Sequence, residues 1–93
     1  MNIAMKYKTD GNQTEIMQAL RAAGFYVFDC SRMGRGFPDL LVNSYARVVL
    51  MEVKTDSGRL TPAEAKFHAE YKGELYIVRS VEDALIAMGK WEK

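Results

Sequence analysis

The first strongly patterned stretch of the chain is typical of an amphipathic helix. Apolar residues recur there at intervals of three and four, which is the spacing of one helix face. These positions are Ile16, Ala19, Leu20 and Ala23. Asn12 stands where an N-cap is expected, Glu15 follows three residues later as in a capping box, and Gly24 is placed to end the helix. The pattern predicts a helix over residues 12–23, preceded by a polar, irregular N-terminal arm over residues 1–11.

The rest of the chain predicts four strands and two further helices. The strand segments are short, rich in β-branched and aromatic residues, and bounded by turn residues. The second helix opens with Thr61 as its N-cap, Pro62 at the first helical position and Glu64 in the first turn. Ser80 is placed to cap the last helix and Gly89 to end it. In chain order the predicted elements are helix 12–23, strands 25–29, 39–42 and 47–54, helix 62–72, strand 75–78 and helix 80–89.

The order of these elements, α-β-β-β-α-β-α, predicts the fold class. The strand–helix–strand crossover near the end of the chain implies a mixed sheet with helices packed on it. Chains divide into domains at roughly 100–200 residues each. We therefore predict an α/β fold in which residues 1–93 form a single domain.

Composition and charge exclude several classes of protein. Thirteen Lys and Arg against twelve Asp and Glu give a net charge of +1, so any contact with nucleic acid must come from a local basic patch. A single cysteine, Cys30, excludes an internal disulfide framework and a cysteine zinc site. No apolar run approaches the ~20 residues of a membrane span, and no secretory signal opens the chain. We expect a soluble, cytoplasmic protein.

The candidate chemistry lies on the third predicted strand. Side chains alternate between the two faces of a strand, so Val49, Met51 and Val53 share the face that is expected to be core. Glu52 and Lys54 share the opposite face, where a carboxylate and an ammonium lie two residues apart. Without other evidence, this pair would be an ordinary solvated ion pair, typically worth ~0–1 kcal/mol.

Pairing with the preceding strand brings a second carboxylate to this face. A four-residue turn over 43–46 places Asp39 diagonal to Glu52, whereas a two-residue turn places Asp39 directly opposite Glu52. Both registers put Asp39, Glu52 and Lys54 on one face, and a slip of one residue would separate them. Two converging carboxylates suit Mg²⁺, and the lysine can offset charge on a phosphoryl oxygen.

These residues resemble a known nuclease signature. Pro38-Asp39, followed after twelve residues by Glu52-Val53-Lys54, resembles the PD-(D/E)xK motif. The surrounding segments are similar to the VRR-NUC branch of that superfamily. The matching segments are 36–40, 52–54, 58–62 and 76–83, within a resemblance that covers about residues 12–86.

The resemblance implies a fold, an activity and partners. The fold would be a restriction-endonuclease-like core, and the activity Mg²⁺- or Mn²⁺-dependent hydrolysis of DNA phosphodiester bonds. Small stand-alone members are similar to phage proteins that form homodimers and cut four-way junctions. We therefore expect a structure-specific DNA endonuclease that acts on branched DNA as a homodimer, with no membrane contact and no small-molecule cofactor.

The resemblance also assigns roles residue by residue. Asp39 and Glu52 would be metal ligands, and Lys54 the catalytic lysine. The backbone carbonyl of Val53 would be a further ligand, and Glu15 matches an acidic residue that this branch carries on its first helix. The alternative for Glu15 is the role of capping partner, and the sequence leaves both open.

One position departs from the family pattern. Glu64 stands where the branch usually has Gln, and a carboxylate there repels a phosphate that an amide would bind. Glu64 is therefore either a metal ligand or only a helix cap. Four basic residues are candidate contacts for DNA phosphates. They are Arg32, Arg35, Arg59 and Lys66.

Other readings of the chain remain open at this point. A non-catalytic nucleic-acid-binding module on the same fold is the main alternative function, and a small interaction domain with a fortuitous motif is the third. His68, the only histidine, is more typical of packing or surface than of a ligand. Trp91 is expected to pack either on its own domain or across a dimer interface, and Cys30 to be a small buried apolar residue.

Overall fold

The elements follow the predicted order α-β-β-β-α-β-α. The structure is a computed structural model, and it describes residues 11–90. Its elements are α1 (Gly11–Ala22), β1 (Tyr26–Asp29), β2 (Leu40–Ser44), β3 (Arg47–Val53), α2 (Pro62–Glu70), β4 (Glu74–Val78) and α3 (Val81–Ala87). Trp91 and the first ten residues of the predicted N-terminal arm lie outside the described residues.

The four strands form one mixed sheet, as predicted. Their order across the sheet is β1-β2-β3-β4. Strand β2 is antiparallel to both β1 and β3, whereas β4 runs parallel to β3. The parallel pair requires a crossover, and α2 supplies it, because a tight turn cannot join two parallel strands. The α/β class with a four-stranded mixed sheet and three helices is therefore confirmed.

The hairpin between β2 and β3 has the tighter of the two predicted turns. Ser44 pairs with Arg47, which leaves only two residues in the turn, and Leu40 pairs with Met51. The alternative of a four-residue turn over 43–46 is excluded, because Asn43 and Ser44 belong to β2. The side-chain amide of Asn43 donates a 3.0 Å hydrogen bond to the carbonyl oxygen of Arg47 and so closes the turn. Continuing this register by one step places Asp39 opposite Glu52.

One face of the sheet carries the main core, and it is the predicted face. Helices α1 and α3 contact each other, and their apolar side chains pack with those of the strands. The largest fully buried apolar members are Ile16, Leu20, Leu40, Met51, Val42, Val49 and Val78. The opposite face is also partly covered, because Leu50 and Glu52 are only 3% and 2% exposed. Glu52 is thus not on a solvated face.

The helix starts agree with the predicted caps in two cases out of three. Thr61 and Glu64 form a reciprocal capping box at α2, and the Ser80 side chain accepts a hydrogen bond from the backbone N–H of Asp83 at α3. Helix α1, however, already includes Gly11, so Asn12 lies inside the helix and is not its N-cap. Within residues 11–90, no helix is long and apolar enough to span a membrane.

Candidate active site

Asp39 is held at the start of β2 by hydrogen bonds on two sides. Its carboxylate oxygen Oδ2 accepts a 2.9 Å hydrogen bond from the backbone N–H of Val53 on β3. Its backbone carbonyl accepts a 2.7 Å hydrogen bond from the N–H of Cys30. The fully buried Pro38 precedes it. The side chain is therefore oriented across β3, toward Glu52, by the sheet itself.

Glu52 is a buried carboxyl group in contact with a second one. Its side chain lies within hydrogen-bonding reach of Asp39, and its other oxygen, Oε1, is buried without a hydrogen-bond partner among the described residues. Burial, followed by the charge of Asp39, raises the pKa of Glu52 to about 9. Burial also raises the pKa of Asp39, although the N–H of Val53 opposes that shift. Two such carboxyls favour either a shared proton or a bound cation.

The Lys54 ammonium lies between the carboxylates of Glu52 on β3 and Glu64 on α2. Its nitrogen Nζ is 2.8 Å from Oε1 of Glu64 and 3.7 Å from Oε2 of Glu52. Burial acts to lower the pKa of Lys54, but the hydrogen bond and charge of Glu64 raise it above its ordinary value. The lysine is therefore charged and held in position at neutral pH.

Glu64 caps α2, which is one of the two roles that the sequence left open, and it also pairs with Lys54. Its Oε1 accepts hydrogen bonds from the Lys54 ammonium at 2.8 Å and from the backbone N–H of Thr61 at 2.9 Å. Burial acts to raise the pKa of Glu64, but these two donors lower it below its ordinary value. Glu64 therefore both caps α2 and anchors Lys54.

Glu15, the third predicted acidic ligand, lies on an exposed part of α1. Within residues 11–90, no group of three or more His, Cys, Asp or Glu side chains is arranged to hold a metal ion. The predicted capping partnership of Glu15 with Asn12 is wrong, because Asn12 lies inside α1 and its Oδ1, which a cap would use as acceptor, has no hydrogen-bond partner among the described residues. The Asn12 amide nitrogen donates to the carbonyl oxygen of Lys54 at 3.3 Å.

The donor set of Asp39 and Glu52 still fits a hard divalent cation. Both groups are carboxylates, which Mg²⁺ prefers, and Mg²⁺ commonly binds one or two protein carboxylates while it keeps several waters. The unpartnered Oε1 of Glu52 is a buried acceptor that lacks a donor, and such a group is costly unless a ligand completes it. Asp39 and Glu52 are the residues that would hold the ion.

The four candidate DNA contacts differ in their surroundings. Arg32 and Arg35 are exposed in the loop between β1 and β2, and neither forms an ion pair with any residue in the range 11–90. Arg59 is exposed in the loop that precedes α2. Lys66 is paired with Glu70 at 2.6 Å on the surface of α2. Within residues 11–90, Arg32 and Arg35 are therefore without an ion-pair partner, whereas Lys66 has one.

Two further residues near the site, Arg79 and His68, were not predicted from the sequence as site residues. The guanidinium of Arg79 donates hydrogen bonds to the carbonyl oxygens of Thr55 and Gly58, so it holds the loop that follows Lys54. His68 is half-buried with an unpartnered Nε2, and burial lowers its pKa. Glu64 and His68 are four residues apart on α2, a spacing that places both side chains on one side of the helix.

Comparison with known proteins supplies no relative for this site. No family model, curated protein or solved structure matches the chain.

Proposed function

We propose that this protein is a metal-dependent DNA endonuclease of the PD-(D/E)xK type, on a restriction-endonuclease-like core of the VRR-NUC branch. One observation carries the proposal: the carboxyl groups of Asp39 and Glu52 meet on the same sheet face as the Lys54 ammonium. Carboxylates that hold a metal, with a cation beside them, are suited to a reaction in which negative charge develops on a phosphate. Glu52 is 2% exposed. Burial of one carboxyl group beside another does not stabilise the folded state, so stability alone does not explain the arrangement.

Each residue of the site has a defined task in this proposal. Asp39 and Glu52 hold Mg²⁺, which supplies a water of lowered pKa and stabilises phosphoryl charge when bound. The N–H of Val53 orients the Asp39 carboxylate. Lys54 places its ammonium against the phosphate oxygens and stabilises the charge that develops there. Glu64 fixes the position of Lys54 and lowers the net positive charge that the phosphate meets.

The proposed substrate is branched DNA, including four-way junctions, bound by a homodimer. Two strands must be cut at a junction, and a two-fold dimer presents two equivalent sites. Support comes from apolar side chains left uncovered on the sheet face that carries Glu52, since large exposed patches mark interaction sites. The register places on this face Tyr26, Phe28, Val48 and Ile77, which are 59%, 54%, 48% and 39% exposed.

The test is a panel of DNA substrates incubated with the purified chain. Linear duplex, flap and four-way-junction DNAs of equal length are compared in Mg²⁺ and in EDTA. We expect cleavage of the branched DNAs only when Mg²⁺ is present, and none with Asp39→Asn. Equal cleavage in EDTA, or by the Asp39→Asn variant, would contradict the proposed chemistry.

A non-catalytic nucleic-acid-binding module is the alternative that one observation favours. The Lys54 ammonium is already engaged by Glu64 at 2.8 Å, so this cation is occupied before any phosphate binds. On this alternative, the same panel gives binding to the DNAs with no cleavage at any Mg²⁺ or Mn²⁺ concentration. The two functions are thus separated by one experiment.

A further inference from the structure

The loop between β1 and β2 is held in a backbone shape that few residues adopt. Gly34, Arg35 and Gly36 all have positive φ angles, of 73°, 58° and 82°. A β-carbon added at Gly36 would lie 2.3 Å from the carbonyl oxygen of Ala63. Only glycine therefore allows the loop backbone to pack directly on the first turn of α2. This contact fixes the distance between the loop and the helix.

A pocket of about 470 Å³ lies between this loop and α2, which is within the usual size range of ligand sites. Phe37 and Phe67 meet there edge to face, with ring centroids 5.2 Å apart and planes at 70°. The residues that line the pocket are Met33, Gly34, Arg35, Phe37 and Phe67. The lining thus combines two aromatic rings and a thioether with one cationic side chain, and it includes no carboxylate.

The pocket is a neighbour of the candidate active site. Phe37 precedes Asp39 by two residues, so their Cα atoms are at most about 7.6 Å apart. Phe67 follows Glu64 by three residues on α2, which places both side chains on one side of the helix. Glu64 in turn contacts Lys54. A polymer that passes the carboxyl pair therefore reaches this pocket within a short distance.

The charge at the pocket favours an anionic ligand with a flat apolar part. Arg35 lines the pocket and Arg32 lies in the same loop, and within residues 11–90 neither forms an ion pair. A nucleotide satisfies both features, because its base stacks on aromatic rings and its phosphate pairs with arginine. An apolar peptide would leave the arginines without a partner.

We propose that this pocket, the base pocket (Met33, Gly34, Arg35, Phe37 and Phe67), binds one unpaired nucleobase of the DNA, with the adjoining phosphate against Arg35. The inference rests on the proposed nuclease function and names what its site recognises. Bases in a duplex are stacked inside it, so only an unpaired or extruded nucleotide reaches the base pocket. The base pocket accounts for selection over linear duplex of flapped DNA, and of junctions in which a base is extruded at the branch point.

The test compares a flap DNA with the same DNA carrying abasic sites in the unpaired strand. Both have the same phosphates, and binding is measured by fluorescence anisotropy in EDTA with the full chain. We expect the abasic DNA to bind wild type about tenfold more weakly, as the loss of one base–aromatic contact predicts. Phe67→Leu keeps an apolar side chain without the ring. It should reduce the ratio of the two dissociation constants, abasic DNA over intact DNA, to near one.

Two further variants make the result specific. Tyr45→Asn removes a fully exposed ring in the turn between β2 and β3, outside the base pocket, with a residue that tolerates the positive φ of this position, and it should keep the tenfold ratio. Arg35→Asn removes the charge with a residue that tolerates positive φ. It should weaken binding of both DNAs by the same factor and leave the ratio of their dissociation constants unchanged, because the phosphate is present in both.

The outcomes separate this inference from the proposed function. A wild-type ratio of one, or an unchanged ratio in folded Phe67→Leu, would overturn the base pocket, and cleavage in Mg²⁺ would then still support the nuclease. A base-dependent ratio without cleavage would support the base pocket and contradict the nuclease. If Phe67→Leu instead abolishes self-association measured by sedimentation, the occupant is a second copy and the base pocket is overturned.

Discussion

The Lys54 ammonium donates a 2.8 Å hydrogen bond to Oε1 of Glu64, which lies ten residues later and on a different element. The same oxygen accepts the N–H of Thr61, so one carboxylate joins the start of α2 to the end of β3. This contact brings a negative charge close to the place where a phosphate is proposed to bind. The prediction for Glu64 depends on this contact.

Glu64→Gln should raise cleavage of branched DNA by about fivefold, which corresponds to ~1 kcal/mol. Glutamine still accepts hydrogen bonds from Thr61 and Lys54, so the capping box is retained, while the charge that repels phosphate is removed. The measurement is kcat/KM in Mg²⁺, together with the melting temperature, which should change little. Glu70→Gln is the matched control, because Glu70 pairs with Lys66 on the exposed surface of the same helix. A large loss of activity in Glu64→Gln would place this carboxylate in the chemistry itself.

Asp39→Asn should abolish cleavage without loss of stability. The asparagine oxygen can still accept the hydrogen bond from the N–H of Val53, and its repulsion with Glu52 disappears. Cleavage in Mg²⁺ and unfolding in urea are measured on the same preparation. Asp56→Asn, an exposed change in the loop after β3, should behave as wild type in both assays. Wild-type cleavage rates in Asp39→Asn would remove Asp39 from the mechanism.

Lys54→Met should bind DNA but cleave it at least about a hundredfold more slowly. Removing one group that stabilises transition-state charge typically costs this much, and methionine keeps the apolar stem of the side chain. Single-turnover cleavage and anisotropy binding separate the two effects. Lys72→Met, an exposed change just after α2, is the control. Unchanged cleavage by Lys54→Met would exclude a catalytic role for this ammonium.

The stability of the metal-free protein should fall as pH rises from about 4.5 to 9. Burial raises the pKa of Glu52 to about 9, above its unfolded value, so the folded state binds the proton more tightly. The contribution of Glu52 is therefore fully present below the unfolded pKa and is lost as pH rises through the folded pKa.

Glu52→Gln carries no titratable proton and isolates this effect. It should match wild type near pH 5 and exceed it by at least about 1 kcal/mol at pH 9, since each pKa unit corresponds to ~1.4 kcal/mol. Urea unfolding in EDTA at a series of pH values provides the measurement. Parallel pH profiles for the two proteins would show that Glu52 does not titrate as expected.

Mg²⁺ should raise the melting temperature of wild type but not of Asp39→Asn or Glu52→Gln. A ligand at a hundred times its Kd stabilises the native state by about 2.7 kcal/mol. Glu15→Gln should keep the full Mg²⁺-dependent shift, because Glu15 is exposed on α1 and, within residues 11–90, belongs to no group of three or more His, Cys, Asp or Glu side chains that could hold a metal ion. If Glu15→Gln loses the shift, Glu15 is a ligand after all, as the family resemblance implies.

The sequence by itself determined the elements and the face on which each candidate residue lies. The start of α2 can be predicted from Thr61, Pro62 and Glu64, because capping is a local interaction between residues three apart. The alternation along β3 separates Met51 from Glu52 and Lys54 because successive side chains of a strand point to opposite faces. Such features depend on near neighbours in the chain, so they can be inferred without knowledge of the rest of the fold.

The tertiary structure alone decided which of these groups meet. Two turn lengths were compatible with the sequence. The pairing of β2 with β3 in the folded sheet has the register that sets Asp39 opposite Glu52. The partners of Asn12 and Glu64 lie 42 and 10 residues away, on elements whose relative position no local pattern specifies. The raised pKa of Glu52 likewise comes from burial, which many distant side chains produce together. Contacts between remote segments depend on how all the elements pack, and that is decided only when the whole chain folds.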